Sequence, residues 1–126
     1  MQDDERKGWR EHESVWCIVS LHDGVVFLGT WSGKVHRIHV QEAGLYHGAR
    51  QVCDCAVLSM AIAEQTLAIG DANGCVHLCS LELVVLERLT THCHEVWCLE
   101  VVSEDGIPGG IYAGSAGGVL FTIDAG

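Results

Sequence analysis

The chain has 126 residues, enough for one domain of ordinary size, and 48% are apolar against 19% charged, which excludes a disordered polypeptide. No stretch approaches the eighteen or so uninterrupted apolar residues of a membrane-spanning helix, and the opening residues MQDDERKGWREHES lack the apolar run of a signal peptide. The net charge of −10 repels phosphate and argues against sequence-independent nucleic-acid binding. The expectation is an intracellular protein, cytoplasmic or nuclear, that contacts neither membrane nor nucleic acid. Its seven cysteines, an odd number, are then reduced, and several (Cys17, Cys75, Cys79, Cys98) are read as small buried apolar side chains.

Residues 1–13 form a charged N-terminal segment. From Val15 the run VWCIVS has the length of a buried strand. Asp23-Gly24 reads as a turn, VVFLGT as a second strand and KVHRIHV, after the glycine turn Trp31-Ser32-Gly33, as a third. A fourth strand is placed around Leu45 to Val52. The same order returns in VLSMAI, TLAIGD and CVHLCSL, with a fourth strand around Leu83 to Thr90. There LELVVLERL also has a helical period, and only its place in the repeat favours a strand. The order returns once more in VWCLEVV, IYAGSA and VLFTID, lengthened by EDGIPGG, read as a loop between the first two strands and holding the chain's single proline, Pro108.

Gly29, Gly70 and Gly114 correspond, as do Gly33, Gly74 and Gly118, at spacings of 41 and 44 residues. The chain is therefore three copies of one four-stranded unit, over 14–54, 55–94 and 95–126, the third with three strands. The fold class is all-β, with eleven strands. The imperfect alternation along Val35–Val40 suits strands covered on both faces. Val15, Ile18, Phe27, Val35 and Ile38, with their counterparts, are the expected core.

A short apolar strand, then small-Gly-small-x-polar-Gly, then an alternating strand, resembles the WD repeat. Gly29-Thr30-Trp31-Ser32-Gly33, Gly70-Asp71-Ala72-Asn73-Gly74 and Gly114-Ser115-Ala116-Gly117-Gly118 fill that family's turn, and His92 matches its histidine before the first strand of the third copy. The signature Trp-Asp pair is replaced by Ile38-His39, Cys79-Ser80 and Ile123-Asp124, so no copy carries the family's full histidine–aspartate network. The resemblance implies β-propeller blades, two complete and a third in part, either of a divergent WD-repeat protein or of another family with the same blade. An open array of this kind implies either a piece of a longer propeller or a ring completed through another subunit, and edge strands that invite further blades or self-association.

The chemistry-bearing residues lead to a protein-binding scaffold without catalysis or cofactor. There is no G-x-S-x-G elbow, no H-E-x-x-H and no phosphate loop. His36 and His77 are equivalent by repeat, which points to a shared structural environment. The expected partner contacts, with other proteins, are the turn residues Trp31, Ser32, Asp71 and Asn73 and the inserted loop with Asp105 and Pro108. Trp31 is either a contact or folded onto the neighbouring blade. Trp16 and Trp97, equivalent and each beside a cysteine, are read first as packing between blades and second as an exposed hot spot. The alternative to a scaffold is a zinc site, with Cys53 and Cys55 from one blade junction and His92 and His94 from the next, or part of a propeller enzyme with a channel site.

Overall fold

In a computed structural model of the chain, residues 13–41, 44–90, 95–104, 107–115 and 120–123 are described. They form eleven strands: β1 Val15–Ser20, β2 Val25–Thr30, β3 Lys34–Gln41, β4 Gly44–Gln51, β5 Val57–Ala63, β6 Thr66–Asp71, β7 Cys75–Ser80, β8 Val85–Thr90, β9 Val96–Glu104, β10 Ile107–Ser115 and β11 Leu120–Ile123. Each blade is an antiparallel meander in chain order: β1 to β4, β5 to β8, and β9 to β11. Among the described residues no helix is long and apolar enough to cross a membrane.

The ambiguous segment LELVVLERL is a strand. Leu83 takes a positive φ of 68° and Leu83 N donates to Ser80 O, so a tight turn occupies the first part and leaves only Val85–Thr90 for β8. The insertion in the third blade differs from the expected loop. It lengthens β9 and β10 to nine residues each, and their register slips between Ile107 and Gly110. Pro108 falls within that slip, where a residue lacking an N–H breaks no regular ladder.

The core lies in two seams between blades. Val25, Phe27, Val35 and Val52 of the first blade pack with Val57, Met60, Leu67, Ile69 and Cys79 of the second. Ala63, Ala68, Val76 and Leu78 of the second pack with Val96, Ile111 and Ala113 of the third. Phe27, Val35 and Ile38 are buried as expected, whereas Val15 and Ile18 are exposed, at 46% and 67%. The reason is position in the stack. Met60, paired with Ile69 as Ile18 is paired with Leu28, faces the preceding blade and is buried. The cysteines also divide: Cys53 and Cys79 are buried, Cys17, Cys55 and Cys75 half-buried, and Cys98 exposed. Burial pushes the Cys17 and Cys79 thiols up to about 11.

A glycine in the second strand of each of the first two blades sets how closely the next blade approaches. A β-carbon at Gly29 would lie 2.5 Å from Val57 Cγ1, and one at Gly70 would lie 2.6 Å from Val96 Cγ1. Hydrogen bonds repeat at the same places: Cys17 Sγ donates to Val57 O at 3.8 Å and Ser59 Oγ to Val96 O at 3.1 Å. A Gly70→Val substitution is therefore expected to cost about 2 kcal/mol of stability, from overpacking a seam whose partner atoms are Val96 and Ser59. Urea denaturation of the purified variant measures it, and a change near zero would show the seam to be loose.

The turn ahead of the third strand is equally tight. Gly33 and Gly74 take positive φ of 90° and 85°, open to glycine without penalty. Val52 N and Cys53 N both donate to Gly33 O, which draws the connection into the second blade across the first blade's turn.

Candidate functional site

The rim begins with the turn after β2. Thr30 Oγ1 accepts from Lys34 N at 3.2 Å and donates to Lys34 O at 3.0 Å. Trp31 N donates to Ser14 O, Ser32 Oγ to Glu13 Oε1 at 2.7 Å, and Gln51 Nε2 to the Ser32 and Cys53 carbonyls. The hydrogen bonds from Ser32 and Thr30 hold the Glu13 carboxyl below its ordinary range. On this fixed turn the Trp31 ring stacks against Trp16, with centroids 5.1 Å apart and planes tilted by 31°. Both rings are about half exposed, and Ile18 is exposed on the same strand as Trp16. Trp31 thus rests on Trp16 of its own blade.

Trp97 occupies the position of Trp16 in the third blade and is 52% exposed, although Val96 beside it is fully buried in the seam. A blade already stands in front of Trp97, so its exposure shows that this position points out of the seam. The expectation that Trp16 and Trp97 pack between blades is corrected accordingly. The bulge explains the geometry: in all three blades the register slips between the valine and the residue two further on, which turns the valine inward and frees the intervening side chain.

The other expected contacts divide. Ser32 is half-buried and Asn73 exposed. Asp71 is 2% exposed, its carboxylate spent inside the fold, so it offers no surface and serves the turn. Asp105 lies outside the described residues, and only the backbone of Pro108, in β10, is described.

Asp71 belongs to a buried cluster at the junction of the first two blades. Its Oδ1 accepts from Asn73 N at 2.8 Å and Cys75 N at 2.9 Å, and its Oδ2 accepts from His77 Nε2 at 2.7 Å. Burial opposes ionisation of Asp71, but hydrogen bonds from His77, Cys75 and Asn73 outweigh it and hold the carboxyl below the usual range. Cys53 Sγ lies within 4.8 Å of both groups and points at the Cys55 and Gly33 carbonyls. Cys55 sits beside the Asp71 carboxylate and the Ala72 and Asn73 amides; burial, then Asp71, raises its thiol pKa. His92 and His94, the other half of the zinc arrangement read from the sequence, lie outside the described residues. Among the described residues, the partners that the fold brings to Cys53 are Asp71 and His77. Their signal in the sequence was an aspartate opening a tight turn, six residues before a histidine on the facing strand.

Cys53, His77 and Asp71 are the residue types of a nucleophile, a base and its orienting acid, but their arrangement opposes that chemistry. The thiolate is the attacking species, and burial followed by the nearby Asp71 pushes the Cys53 thiol up to about 12. All three side chains are buried, so no substrate reaches them. Elsewhere an open groove of about 390 Å³, lined by Arg37, His39, Gly48, Ala49, Arg50, Glu82 and Leu83, gathers two of the chain's seven lysine and arginine side chains.

No known protein family matches the sequence, and no curated protein does. Similarity appears in three dimensions. The chain is 18% identical to the RRP9 WD40 repeats, with a TM-score of 0.77, over 93% of this chain and 37% of that one. For BBS1N, solved in complex with ARL6DN, the values are 13%, 0.74, 94% and 39%. For the computationally designed Ika4 protein they are 17%, 0.69, 85% and 64%. The chain thus spans about two fifths of the first two structures and just under two thirds of the third. At these identities the likeness is one of fold, and it agrees with the strand order and the seams: the chain folds as stacked β-propeller blades, two of four strands and one of three, in a stack that is not closed.

Proposed function

We propose that the chain is a non-catalytic, WD-repeat-like interaction module that docks another protein inside the cell on the rim formed by Trp16, Trp31 and the turns beside them. The observation that carries this reading is the stacked, half-exposed tryptophan pair on a hydrogen-bonded turn. Tryptophan is enriched among the residues that dominate binding energy, and two rings already ordered against each other lose little freedom on binding. The three-dimensional likeness to WD40 structures supports the blade, and at such low identity the partner is left to be found by experiment.

A photo-crosslinking residue in place of Trp31 is expected to capture a discrete protein in cells, and the same residue in place of exposed Glu64, in the turn between β5 and β6, is not. Equal labelling from both positions, or none, would overturn the reading. Trp31→Ala is expected to weaken binding of the captured protein at least about tenfold. Its stability should fall by only about 1 kcal/mol, the value of one aromatic pair.

A second reading rests on the junction cluster. Cys53, Asp71 and His77 supply sulfur, oxygen and nitrogen donors of the kinds that hold zinc, Cys55 lies beside Asp71, and among the described residues His77 Nδ1 has no hydrogen-bond partner. A zinc ion there would replace the thiol protons and tie the blade connection to the second blade's turn. Elemental analysis of protein purified without chelator is expected to show about one zinc per chain, lost in Cys53→Ser. Zinc-free protein with an unchanged melting curve in added zinc would leave the cluster a hydrogen-bonded latch only.

A further inference from the structure

The two inner seams follow one rule. The first residue of a blade's inner strand is a valine held in a bulge, Val57 or Val96, and both are fully buried. That valine sits on the second-strand glycine of the preceding blade, Gly29 or Gly70. Beside the glycine, in register with it, stands a small side chain that donates to the valine carbonyl: Cys17 opposite Gly29, Ser59 opposite Gly70.

Both halves of a third such seam are present on the outer faces. On the first blade Val15 stands in the same bulge, its register slipping before Cys17. Trp31 N donates to Ser14 O as Ala72 N does to Ala56 O, so the segment is already shaped as its buried counterpart is. Yet Val15 is 46% exposed, with Ile18, the counterpart of buried Met60, at 67%. On the third blade Gly114 pairs with Cys98 in the register of Gly29 with Cys17. Among the described residues, a β-carbon at Gly114 would meet Cys98 Sγ alone, at 2.9 Å, where the other two glycines also meet a valine. Cys98 is exposed.

We propose that the chain associates head to tail with a second copy, Val15 of one copy seating on Gly114 of the other while Cys98 donates to the Val15 carbonyl. A second copy is the fitting occupant because the chain carries both halves of the contact, each already shaped as in its inner seams. The contact is heterologous and closes where the rotation per blade permits. Two copies supply six blades, within the four to eight with which propellers close, and closure covers Ile18 as the second blade's position covers Met60. This goes beyond the rim reading, since Trp97 shows that the tryptophan positions lie outside the seams, and either can fail without the other.

Light scattering on the whole chain at roughly 100 µM, where a Kd of 1 µM leaves mostly dimer, is expected to give twice the chain mass of 13.6 kDa. Val15→Asp removes the knob and Gly114→Val fills the socket, where the exposed Cys98 side chain can swing aside. Each is expected to restore the single-chain mass with unchanged circular dichroism. Should Gly114→Val fail to fold, Val15→Cys decides: mild oxidation is expected to join position 15 of one copy to Cys98 of another, identified by peptide mass. Single-chain mass in the unaltered protein overturns the proposal. So does association untouched by both substitutions, which would place the contact elsewhere and leave the rim reading standing.

Discussion

Phe27→Ala is expected to lower the free energy of unfolding by about 4 kcal/mol, within the range for removing a buried phenylalanine. Phe27 has no exposed surface and heads the fully buried side chains by volume. In β2 it pairs with Val19 on one side and Arg37 on the other, and its ring belongs to the cluster joining the first two blades. Truncation therefore leaves a cavity in a seam, where two rigid sheets must shift together to fill it. Against a total stability typically of about 5 to 15 kcal/mol, such a loss brings the chain close to unfolding. Urea denaturation followed by circular dichroism measures it, and a loss below about 1 kcal/mol would mean that the blades do not pack through this residue.

The next largest effect is expected at Asp71. Removing its carboxylate in Asp71→Ala leaves the Asn73 and Cys75 amides and the His77 ring without the acceptor they share. The buried His77 ring left unpaired carries its full desolvation penalty, and the partly exposed turn amides add a smaller loss, so about 3 kcal/mol is expected to be lost. Asp71→Asn keeps an acceptor oxygen for the turn amides and should cost about 1 kcal/mol. The order, alanine well below asparagine, separates a hydrogen-bonding role from a purely electrostatic one. Equal losses in the two variants would assign the stability to charge.

The blades were legible in the sequence because their punctuation is steric. A positive-φ turn at Gly33 and Gly74 and a close approach at Gly29 and Gly70 admit little but glycine, so the residues recur at fixed spacing. Strand existence, order and number followed from that recurrence. Exposure of β1 was not legible: Val15 and Ile18 carry the composition of core residues, and whether they are buried depends on a neighbouring blade and not on their own strand. The tryptophans escaped for a related reason, since the bulge that turns Val96 inward and Trp97 outward is a backbone register slip with no residue type of its own. The junction cluster was half visible. Cys53 and Cys55 stand out by spacing, but their neighbours Asp71 and His77 come from the next hairpin, and in sequence Asp71 reads as a surface contact. An aspartate in a turn looks the same in sequence whether it faces solvent or its own backbone.

The stacking of the blades through valine and glycine is tested most directly by proton NMR of the purified chain. Nuclear Overhauser contacts are expected from the Val57 methyls to the Gly29 α-protons and from the Val96 methyls to the Gly70 α-protons. If both contacts are missing while the strands within each sheet remain paired, the blades do not stack this way, and the interpretation of the seams fails.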